Sequence, residues 1–582
     1  MLPKGNKSKE LLKNLRPLTL LNTYYKIISG VIAERIKPVL NRIIHSDQKG
    51  FLKGRYIGEA IRSTYDTIEY AKSNNLSGAI LLIDFSKAYD SLSHFFIKSS
   101  LKAFNFGESI CRWVDILISD FFSVINHAGN ISERFILATG TKQGDPISGY
   151  LYILGSEILA HKLRCKHSDV GFQFKYGFNL LEIYADDLTI FLKADEHNLN
   201  LLEGNMRSII ETMTEFKKVS NLSVNLEKTS AIPFGNICEL EFDLCKDLGI
   251  KWEKEFKLLG VYIKNDLRNN DERMEEYIKD ISKLLNNRRN RYLSPYGKIT
   301  VIKTLALPKI THIALITPEL DQNYAKKLEV MFYNFLWNNK PDKISREACK
   351  MPYARGGLNM ISVQEFWSSL KVSWLRRVAL SPDTTWINIL RNCLAPLNYK
   401  PEDLVKIGNS ELRKLSSNIT NMFWKNILIN AAVVLENVQY VYPELFSLNN
   451  VCGNSLFKIG NFPIHSKIFG KDSYVQIADF LDENNQFLSR ESFQRLTGIN
   501  LNFLDFHNIK NSIENGASKV GIRLEAVENF SRPRPTLTFS ILTKKDRGCQ
   551  TFYRILMGKK VCQNHNNFEG KWHNELNRIL DV

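Results

Sequence analysis

The stretch Glu182-Ile183-Tyr184-Ala185-Asp186-Asp187-Leu188-Thr189-Ile190-Phe191 decides the fold class of this chain. Two adjacent carboxylates lie between two short runs of strand-forming residues. This pattern predicts a tight β-hairpin with Asp186 and Asp187 at or beside its tip. Neighbouring negative charges repel unless a cation neutralises them, and Mg²⁺ or Mn²⁺ is the hard, oxygen-seeking ion that such a pair favours. A solvated turn is the alternative, because aspartate is also a common turn residue.

A second segment that carries carboxylates lies upstream. Ala79 to Ile83 form a continuous apolar run, which predicts a strand buried on both faces. The run ends in Asp84, and a carboxylate there is costly unless it is paired or bound to metal. The alternative for Asp84 is a cap on the following helix, with Asp90 as an acid of that helix's first turn.

A glycine-containing loop separates these two segments. Residues 139–148 read Thr-Gly-Thr-Lys-Gln-Gly-Asp-Pro-Ile-Ser, and an apolar helical pattern follows. Gly140 and Gly144 allow close approach of the backbone to a ligand, and Gln143 offers both a hydrogen-bond donor and an acceptor. Taken alone, the loop is equally a plain connection with a helix start at Asp145-Pro146. All three segments in this order are hard to explain as structural turns.

In these segments the chain resembles the reverse transcriptases of non-LTR (LINE-type) retrotransposons. Residues 83–90, 142–148 and 184–187 resemble the three catalytic motifs of the palm, 221–229 the fourth motif, and 256–261 the primer-grip hairpin. Upstream, residues 14–22 and 48–55 resemble the fingers motifs. The resemblance is specific over about residues 1–265. It is fainter to about 365, where Phe335-Leu336-Trp337 and Gly356-Gly357-Leu358 recur in the family.

The resemblance implies an α+β right-hand polymerase fold. Fingers and a palm with an antiparallel sheet are expected in residues 1–265, a helical thumb in 266–345, and a mainly helical C-terminal extension in 346–582. The implied activity is RNA-directed DNA polymerisation, in which a DNA primer 3′-hydroxyl is extended on an RNA template, as in target-primed reverse transcription. The implied partners are template RNA, primer or target DNA, and deoxynucleoside triphosphates.

The same resemblance assigns the site residues. Asp84, Asp186 and Asp187 are the implied catalytic residues, and together with the Phe85 carbonyl they are expected to hold two Mg²⁺ or Mn²⁺ ions. Two such ions about 3.5–4 Å apart stabilise the attacking and leaving oxygens of an in-line displacement. The implied nucleotide-binding residues are Arg16, Tyr89, Gln143, Gly144 and Lys228, and the implied primer grip is Leu258, Leu259 and Gly260.

Structural roles stay open for three of these residues. Arg16 is either the clamp on the triphosphate, since a guanidinium engages phosphate oxygens with a forked geometry, or a surface arginine before a proline. Lys228 is either the proton donor to the departing pyrophosphate or a solvated lysine. Tyr89 is either the aromatic gate against the sugar 2′-position or a core aromatic.

Basic side chains outside the palm are the candidates for phosphate contacts, which bind without sequence preference and weaken with salt. A helix is predicted over 272–291, and its basic end either contacts phosphate or merely complements the helix dipole. Residues 346–582 are either a nucleic-acid-binding module or a structural extension, with the Asn-rich segment 446–454 as a candidate boundary. The candidate contacts are Arg55, Arg288, Arg289, Arg291, Lys298, Lys303 and Lys309.

The composition bounds the partners and the compartment. Of 582 residues, 78 are Lys or Arg and 61 are Asp or Glu, so the net charge is +17 and suits a polyanionic partner. No segment reaches the ~18 apolar residues of a membrane span, and no signal region opens the chain. Nine scattered cysteines without a Cys-x-x-Cys pair predict reduced thiols. We therefore expect an intracellular, unsecreted ribonucleoprotein in the nucleus or cytoplasm, without membrane or zinc binding.

The chain also departs from the family pattern. It opens in the middle of the first fingers motif, and we recognise neither an endonuclease nor an RNase H domain, so a truncated element, a partial gene product or an excised fragment is expected. An inactive or domesticated remnant that binds RNA without synthesising DNA is the alternative function. Asn221 replaces the usual glycine of the fourth motif, where asparagine tolerates the left-handed conformation. Gly149 replaces the usual proline after Ser148.

Overall fold

The apolar run that ends at Asp84 is the central strand of a sheet in the computed structural model of this chain. This strand, β3 (Ser77–Ile83), pairs antiparallel with β11 (Asp187–Ala194) on one side and with β12 (Ser230–Gly235) on the other. β10 (Leu181–Tyr184) and β13 (Lys251–Trp252) complete the order β10-β11-β3-β12-β13, in which β13 runs parallel to β12. The antiparallel sheet predicted for the palm is confirmed for four strands, β10, β11, β3 and β12.

The chain divides into two compact units. They comprise Met1–Asn269 with Thr384–Ile389, and Asn270–Asp383 with Leu390–Val582. The first unit ends close to the boundary predicted at residue 265. The second runs through residue 345, so the predicted thumb and extension share one unit. The structure describes residues 2–3, 15–16, 19–119, 122–127, 129–240, 242–265, 267, 271–318, 322–380, 386–469, 475–528, 530, 535–544 and 548–563.

Helices cover both faces of the sheet, as expected for a strand without polar alternation. Ala79 and Leu81 belong to a core shared with α6 (Ser148–Lys166) and α7 (Leu199–Ser220). The alternate residue Ile80 lies on the other face, where α2 (Ile57–Ser73) packs against β3, β10 and β12. The unit also contains α1 (Thr23–Ile43), α3 (Ala88–Ser91), α4 (His94–Ala103), α5 (Glu108–Ile118), β1 (Leu2–Pro3), β2 (Leu15–Arg16), β4 (Phe122–Ser123), β5 (Asn126–His127), β6 (Asn130–Ile131), β7 (Phe135–Ile136), β8 (Phe172–Phe174), β9 (Gly177–Asn179), β14 (Glu255–Leu258) and β15 (Val261–Lys264).

The second unit is built mainly of helices around α13 (Val363–Leu380). The side chains of Trp374 and Trp424 are fully buried, and the Trp374 indole Nε1 donates to the carbonyl oxygen of Leu315 at 2.9 Å. The remaining α-helices and β-strands of the described residues are α8 (Asp271–Arg289), α9 (Pro295–Val301), α10 (Pro308–Ile316), α11 (Gln322–Leu336), α12 (Arg346–Lys350), α14 (Ile387–Leu394), α15 (Asn409–Asn418), α16 (Met422–Asn437), β16 (Lys458–Ile459), β17 (Phe462–Pro463), α17 (Arg490–Thr497), α18 (Phe503–Lys519), α19 (Leu537–Leu542) and α20 (Gln550–Gln563).

The Asn-rich segment is not a boundary. Phe446 and Val451 are fully buried in a core of the second unit. The Asn449 amide donates to the carbonyl oxygen of Phe446 at 2.9 Å, and Gln476 donates to that of Leu448 at 3.2 Å. These amide side chains satisfy buried backbone carbonyls, so a polar composition here accompanies a packed interior.

Within the described residues, no single helix has the length and apolar composition to cross a membrane. One pair passes that test jointly, residues 295–306 with α10, and the two are bent by 48° relative to each other.

Candidate active site

The sheet register brings two of the predicted catalytic aspartates together. Ile83 pairs with Leu188 across β3 and β11, so the same register sets Asp84 opposite Asp187. The backbone remains paired beyond the end of β3. The Asp84 carbonyl oxygen accepts from the Asn225 amide at 2.7 Å, and Phe85 forms an antiparallel bridge with Val224. Lys87, rather than Asp84, caps the short helix α3, and Asp90 lies in the first turn of that helix. The helix-cap alternative for Asp84 is therefore wrong.

The predicted hairpin is present. Tyr184 pairs with Asp187, so Ala185 and Asp186 form the two-residue tip and Asp187 begins β11. Ala185 adopts a left-handed φ of +57°, a conformation that is energetically unfavourable for residues with a Cβ. Asp186 and Asp187 thus emerge from a tight, strained turn at the end of the central sheet.

The three carboxylates influence one another. Although Asp187 remains exposed, desolvation by the surrounding protein, followed by the charges of Asp186 and Asp84, raises its pKa to about 6. Lys228 partly compensates this negative charge, because its Nζ lies 3.1 Å from Oδ2 of Asp84. Mutual repulsion of this kind favours a bound cation.

The chemistry of these groups fits a divalent ion, but their present arrangement does not enclose one. Carboxylate oxygens are the ligands that Mg²⁺ prefers, and a cation would relieve the repulsion that raises the pKa of Asp187. Among the described residues, however, no three Asp, Glu, His or Cys side chains converge closely enough to hold a metal ion. Asp84 pairs with Lys228 in this arrangement.

The Gln-Gly-Asp-Pro loop is built on the segment that follows Asp84. The Thr141 amide donates to the Tyr89 carbonyl oxygen at 2.6 Å and the Gly140 amide to that of Leu92 at 2.8 Å. Gly140 has a φ of +86°, and a Cβ there would meet the Asp90 carbonyl oxygen at 2.7 Å. Gly140 is thus required for close backbone approach, but to the chain itself rather than to a ligand.

The nucleotide-binding candidates of this loop are partly accessible. Gln143 is half-buried and Gly144 is exposed with a φ of +100°. The carbonyl oxygen of Gln143 accepts from the Thr19 amide at 3.3 Å. Helix α1 supports the loop as well, because the Tyr25 hydroxyl donates to Asp145 at 2.8 Å.

Tyr89 lies in an aromatic stack beside the carboxylates. Its ring stacks on Tyr152 with centroids 4.5 Å apart, and it meets the ring of Phe51 edge-on at 6.3 Å. Desolvation, followed by the charge of Asp186, raises the pKa of the Tyr89 hydroxyl well above its usual value, so this hydroxyl stays protonated. Tyr89 is half-buried, so part of its side chain is accessible.

The two departures from the family pattern have structural counterparts. Asn221 caps α7 with a φ of +66°, as predicted for an asparagine in place of glycine. Gly149 lies directly under the Phe51 ring, and a Cβ there would meet ring atoms at 2.8–2.9 Å. The small residue at 149 therefore makes room for the aromatic stack.

The predicted primer-grip hairpin lines the same cleft as the aspartates. β14 and β15 pair through Leu258 and Val261, and the tip residues Leu259 and Gly260 both have positive φ, +48° and +92°. The cleft encloses about 250 Å³. Its walls include Asp84, Asp187, Lys228, Glu253, Leu258 and Leu259.

Two of the predicted phosphate contacts, Arg55 and Arg16, belong to the fingers motifs. The Arg55 guanidinium donates to the carbonyl oxygens of Gln48 and Ile44, each at 2.7 Å, and to that of His45. These bonds give Arg55 a structural role, and phosphate contact by it stays a prediction. Arg16 lies in β2, where its backbone pairs with Leu2, and its side chain lies outside the described residues.

The basic candidates of the second unit divide into two groups. Lys298 and Lys303 are bound to protein acceptors: Lys298 is buried and donates to the carbonyl oxygen of Leu336 at 3.0 Å, and Lys303 donates to that of Asn359. These bonds give both ammonium groups a structural role, because they cap the chain's own carbonyls, and phosphate contact by either lysine stays a prediction. Of the other group, Arg289 donates to Asn339 at 3.2 Å. The remaining candidates of that group, Arg288, Arg291 and Lys309, are half-buried or exposed.

Two residues beside the site were not singled out from the sequence. Gln48 is 1% exposed, and its side-chain oxygen accepts a hydrogen bond from the backbone amide of Ala185 at the hairpin tip. Tyr152 is fully buried, and its hydroxyl has no hydrogen-bond partner among the described residues. Gln48 stands in a segment already recognised by its motif, and its position immediately before Lys49-Gly50 is the signal that could have found it. Tyr152 carries no such signal, because it resembles any apolar position of α6.

The sequence is similar to known proteins over much of its length. Residues 2–263 match the family described as reverse transcriptase (RNA-dependent DNA polymerase). The chain is 26% identical over 391 residues to the transposon TX1 uncharacterized 149 kDa protein of Xenopus laevis, covering 65% of this chain and 28% of that protein. It is 23% identical over 427 residues to the retrovirus-related Pol polyprotein from type-2 retrotransposable element R2DM of Drosophila melanogaster, covering 72% and 38%.

The matched region is a part of these relatives. The chain spans roughly a third of their length. Among solved structures, apo telomerase from Candida Tropicalis is similar with a TM-score of 0.31 and 12% identity, covering 72% of this chain and 58% of that chain.

Proposed function

We propose that this chain is an RNA-directed DNA polymerase of the non-LTR (LINE-type) retrotransposon class, which extends a DNA primer on an RNA template. The match of residues 2–263 to the reverse transcriptase family and the similarity to transposon and retrotransposable-element proteins support this proposal. One observation carries this proposal. Asp84 and Asp187 face each other at the end of the central sheet, in a cleft whose other wall is the hairpin tip at Leu258 and Leu259. Carboxylates beside a primer-binding hairpin suit nucleotidyl transfer.

The carboxylates of Asp84, Asp186 and Asp187, with the Phe85 carbonyl, are the groups that would hold two Mg²⁺ or Mn²⁺ ions. Such ions, when bound, stabilise the attacking and leaving oxygens of a phosphoryl displacement. Lys228 lies at the same cleft and carries a proton close to Asp84. In this proposal Lys228 neutralises the departing pyrophosphate.

The remaining residues position the substrates. The half-exposed ring of Tyr89 is held by Tyr152 and Phe51, and in this proposal it excludes the 2′-hydroxyl of a ribonucleotide. Gln143 and Gly144 contact the incoming deoxynucleotide. The hairpin residues Leu258, Leu259 and Gly260 support the primer end. Arg16, Arg55, Arg288, Arg289 and Arg291 are the proposed phosphate contacts.

The proposal includes template RNA, primer or target DNA and deoxynucleoside triphosphates as partners. The surplus of 17 positive charges supports a polyanionic partner. All eight cysteines that the structure describes are free thiols, which supports an intracellular site of action in the nucleus or cytoplasm.

Primer extension on poly(A)/oligo(dT) with Mg²⁺ tests the proposal directly. The parent chain should incorporate dTTP, and the matched Asp186→Ala variant should lose this activity while keeping its thermal stability. Binding of the same template is measured in parallel. A parent protein that binds the RNA but does not extend the primer would contradict the polymerase function and favour an RNA-binding remnant.

A further inference from the structure

Four consecutive residues, Asp47 to Gly50, run beside the catalytic hairpin as a buried segment. The Ile183 amide donates to the Asp47 carbonyl oxygen at 2.9 Å, and the Lys49 amide donates to that of Ile183 at 2.7 Å. Asp47, Gln48 and Lys49 are each no more than 2% exposed. Polar side chains are rarely buried to this degree unless each has a partner. The segment is therefore a buried polar stretch that is hydrogen-bonded to the backbone of β10.

Gln48 is the residue of this segment that contacts the catalytic tip. Its side-chain Oε1 accepts from the amide of Ala185 at 2.9 Å and from the amide of Gly50 at 2.8 Å. Ala185 is buried, directly precedes Asp186 and has a left-handed φ of +57°. Such a conformation is costly for a residue with a Cβ and persists where surrounding contacts fix it. The Gln48 acceptor is one such contact.

The backbone of Gly50 packs directly against Ala185. A Cβ at residue 50 would lie 2.6 Å from the Ala185 nitrogen and 3.1 Å from its Cβ. Real side chains do not approach backbone atoms so closely, so any larger residue must push the tip away. Gly50 is thus required for close packing against Ala185.

Ion pairs on either side hold the segment to the rest of the first unit. Asp47 Oδ2 lies 2.8 Å from Nη1 of Arg164 on α6. Lys49 Nζ lies 3.5 Å from Glu59 on α2 and 4.0 Å from Glu182 on β10. Buried charges of this kind are tightly placed, because losing one partner leaves the other uncompensated. Gln48 is therefore presented to Ala185 from a fixed support.

We propose that Gln48 and Gly50 form a clamp that positions the catalytic hairpin, so that Asp186 and Asp187 are held in register with Asp84. The expected effect on kcat rests on the proposed polymerase function, whereas the expected effect on the conformation of the hairpin does not. Removing the Gln48 acceptor leaves the Ala185 amide buried without its partner, and the tip relaxes. A displacement of about 1 Å in catalytic groups costs roughly 100-fold in rate.

Hydrogen exchange and kinetics on the full chain test the clamp together. Gln48→Met keeps the side-chain length and removes the acceptor, whereas Gln48→Glu retains an acceptor. Gln48→Met should speed amide exchange in peptides that span 184–188 and lower kcat for primer extension roughly 100-fold, with KM for the nucleotide little changed. Gln48→Glu should retain more of both the protection and kcat.

Gly50→Ala keeps Gln48 and displaces the tip by steric contact, so it should give the same signature even where Gln48→Met folds poorly. Gln476→Met is the matched control, since Gln476 is a buried glutamine of the second unit that donates to the carbonyl oxygens of Leu448 and Pro535. It should change neither exchange at 184–188 nor kcat.

Parent-like exchange at 184–188 in both Gln48→Met and Gly50→Ala would overturn the clamp. A loss of kcat in Gln476→Met as large as in Gln48→Met would overturn it as well, because both losses would then reflect general destabilisation. A parent protein without any primer extension would contradict the proposed function alone, and the exchange measurement would still decide the clamp.

Discussion

Lys228 and Asp84 form an ion pair in the cleft, with Nζ 3.1 Å from Oδ2. The lysine side chain is 65% exposed and the aspartate 39%, and a solvated pair of this kind contributes about 0–1 kcal/mol to stability. Its larger effect is on the charge of the site, because the ammonium neutralises part of the negative charge that would attract a divalent ion.

Lys228→Met should therefore tighten divalent-ion binding while leaving the free energy of unfolding almost unchanged. Calorimetric titration with Mn²⁺ measures the affinity, and urea denaturation measures stability. Lys246→Met is the matched control, since Lys246 forms an exposed pair with Asp243 at 2.9 Å, and neither residue is among the described residues that line the cleft. Unaltered Mn²⁺ affinity in Lys228→Met would show that the ion pair does not compete with the metal.

Metal-dependent stability should increase with pH through the titration of Asp187. Its folded pKa of about 6 exceeds the ordinary value of 3.8, so without metal the folded state loses stability as the pH rises from 4 to above 6. A divalent ion binds the carboxylate and displaces the proton. The rise in Tm on adding Mg²⁺ should thus be small at pH 5 and larger at pH 7.5, and Asp187→Asn should remove this difference.

Tyr89→Ala should raise the incorporation of ribonucleotides relative to deoxynucleotides. The substitution removes the ring that Tyr152 and Phe51 hold beside the carboxylates. Competitive extension with dTTP and UTP measures the ratio. Tyr89→Phe keeps the ring and should preserve the parent selectivity. Equal selectivity in Tyr89→Ala and the parent would leave Tyr89 as a packing residue.

Tyr152→Phe should stabilise the protein by about 1 kcal/mol, because it removes a buried hydroxyl that lacks a hydrogen-bond partner in the described structure. Tyr333→Phe is the contrasting control. The Tyr333 side chain is equally buried, but its hydroxyl donates to the Arg346 carbonyl oxygen at 3.1 Å, so its loss should destabilise by about 1 kcal/mol. Urea denaturation followed by tryptophan fluorescence distinguishes the two outcomes.

Lys298→Met should lower stability rather than weaken nucleic-acid binding. Its ammonium caps the carbonyl oxygen of Leu336 and the side chain of Asn338, and hydrogen bonds to a charged group contribute about 1.5–3 kcal/mol. Lys309 is exposed, and Lys309→Met should leave stability unchanged. Filter binding of RNA over a salt series separates the two effects. Weaker RNA binding in a fully stable Lys298→Met variant would contradict the structural role.

The parts of the site that the sequence predicted are those with a local signal. The apolar run before Asp84 and the paired strands around Asp186 are patterns of adjacent residues, and they fix the sheet and its register. The contact of Gln48 with Ala185 joins residues far apart in the chain, and the left-handed tip follows from that packing. The carbonyl contacts of Arg55 and Lys298 could not be predicted for a related reason, since a cation that caps a carbonyl elsewhere in the chain has the same sequence appearance as one in solvent.

The order of the central strands also sets when the site can form during synthesis. β3 pairs with β11 and β12, which are translated more than 100 residues later. During that interval Asp84 lies at the end of an apolar strand that has no partner strands. Pairings of such long sequence separation fold slowly and leave strand edges open to aggregation. Until residue 235 has been translated, β3 lacks one of its two partner strands, and the nascent chain exposes an unpaired apolar strand edge.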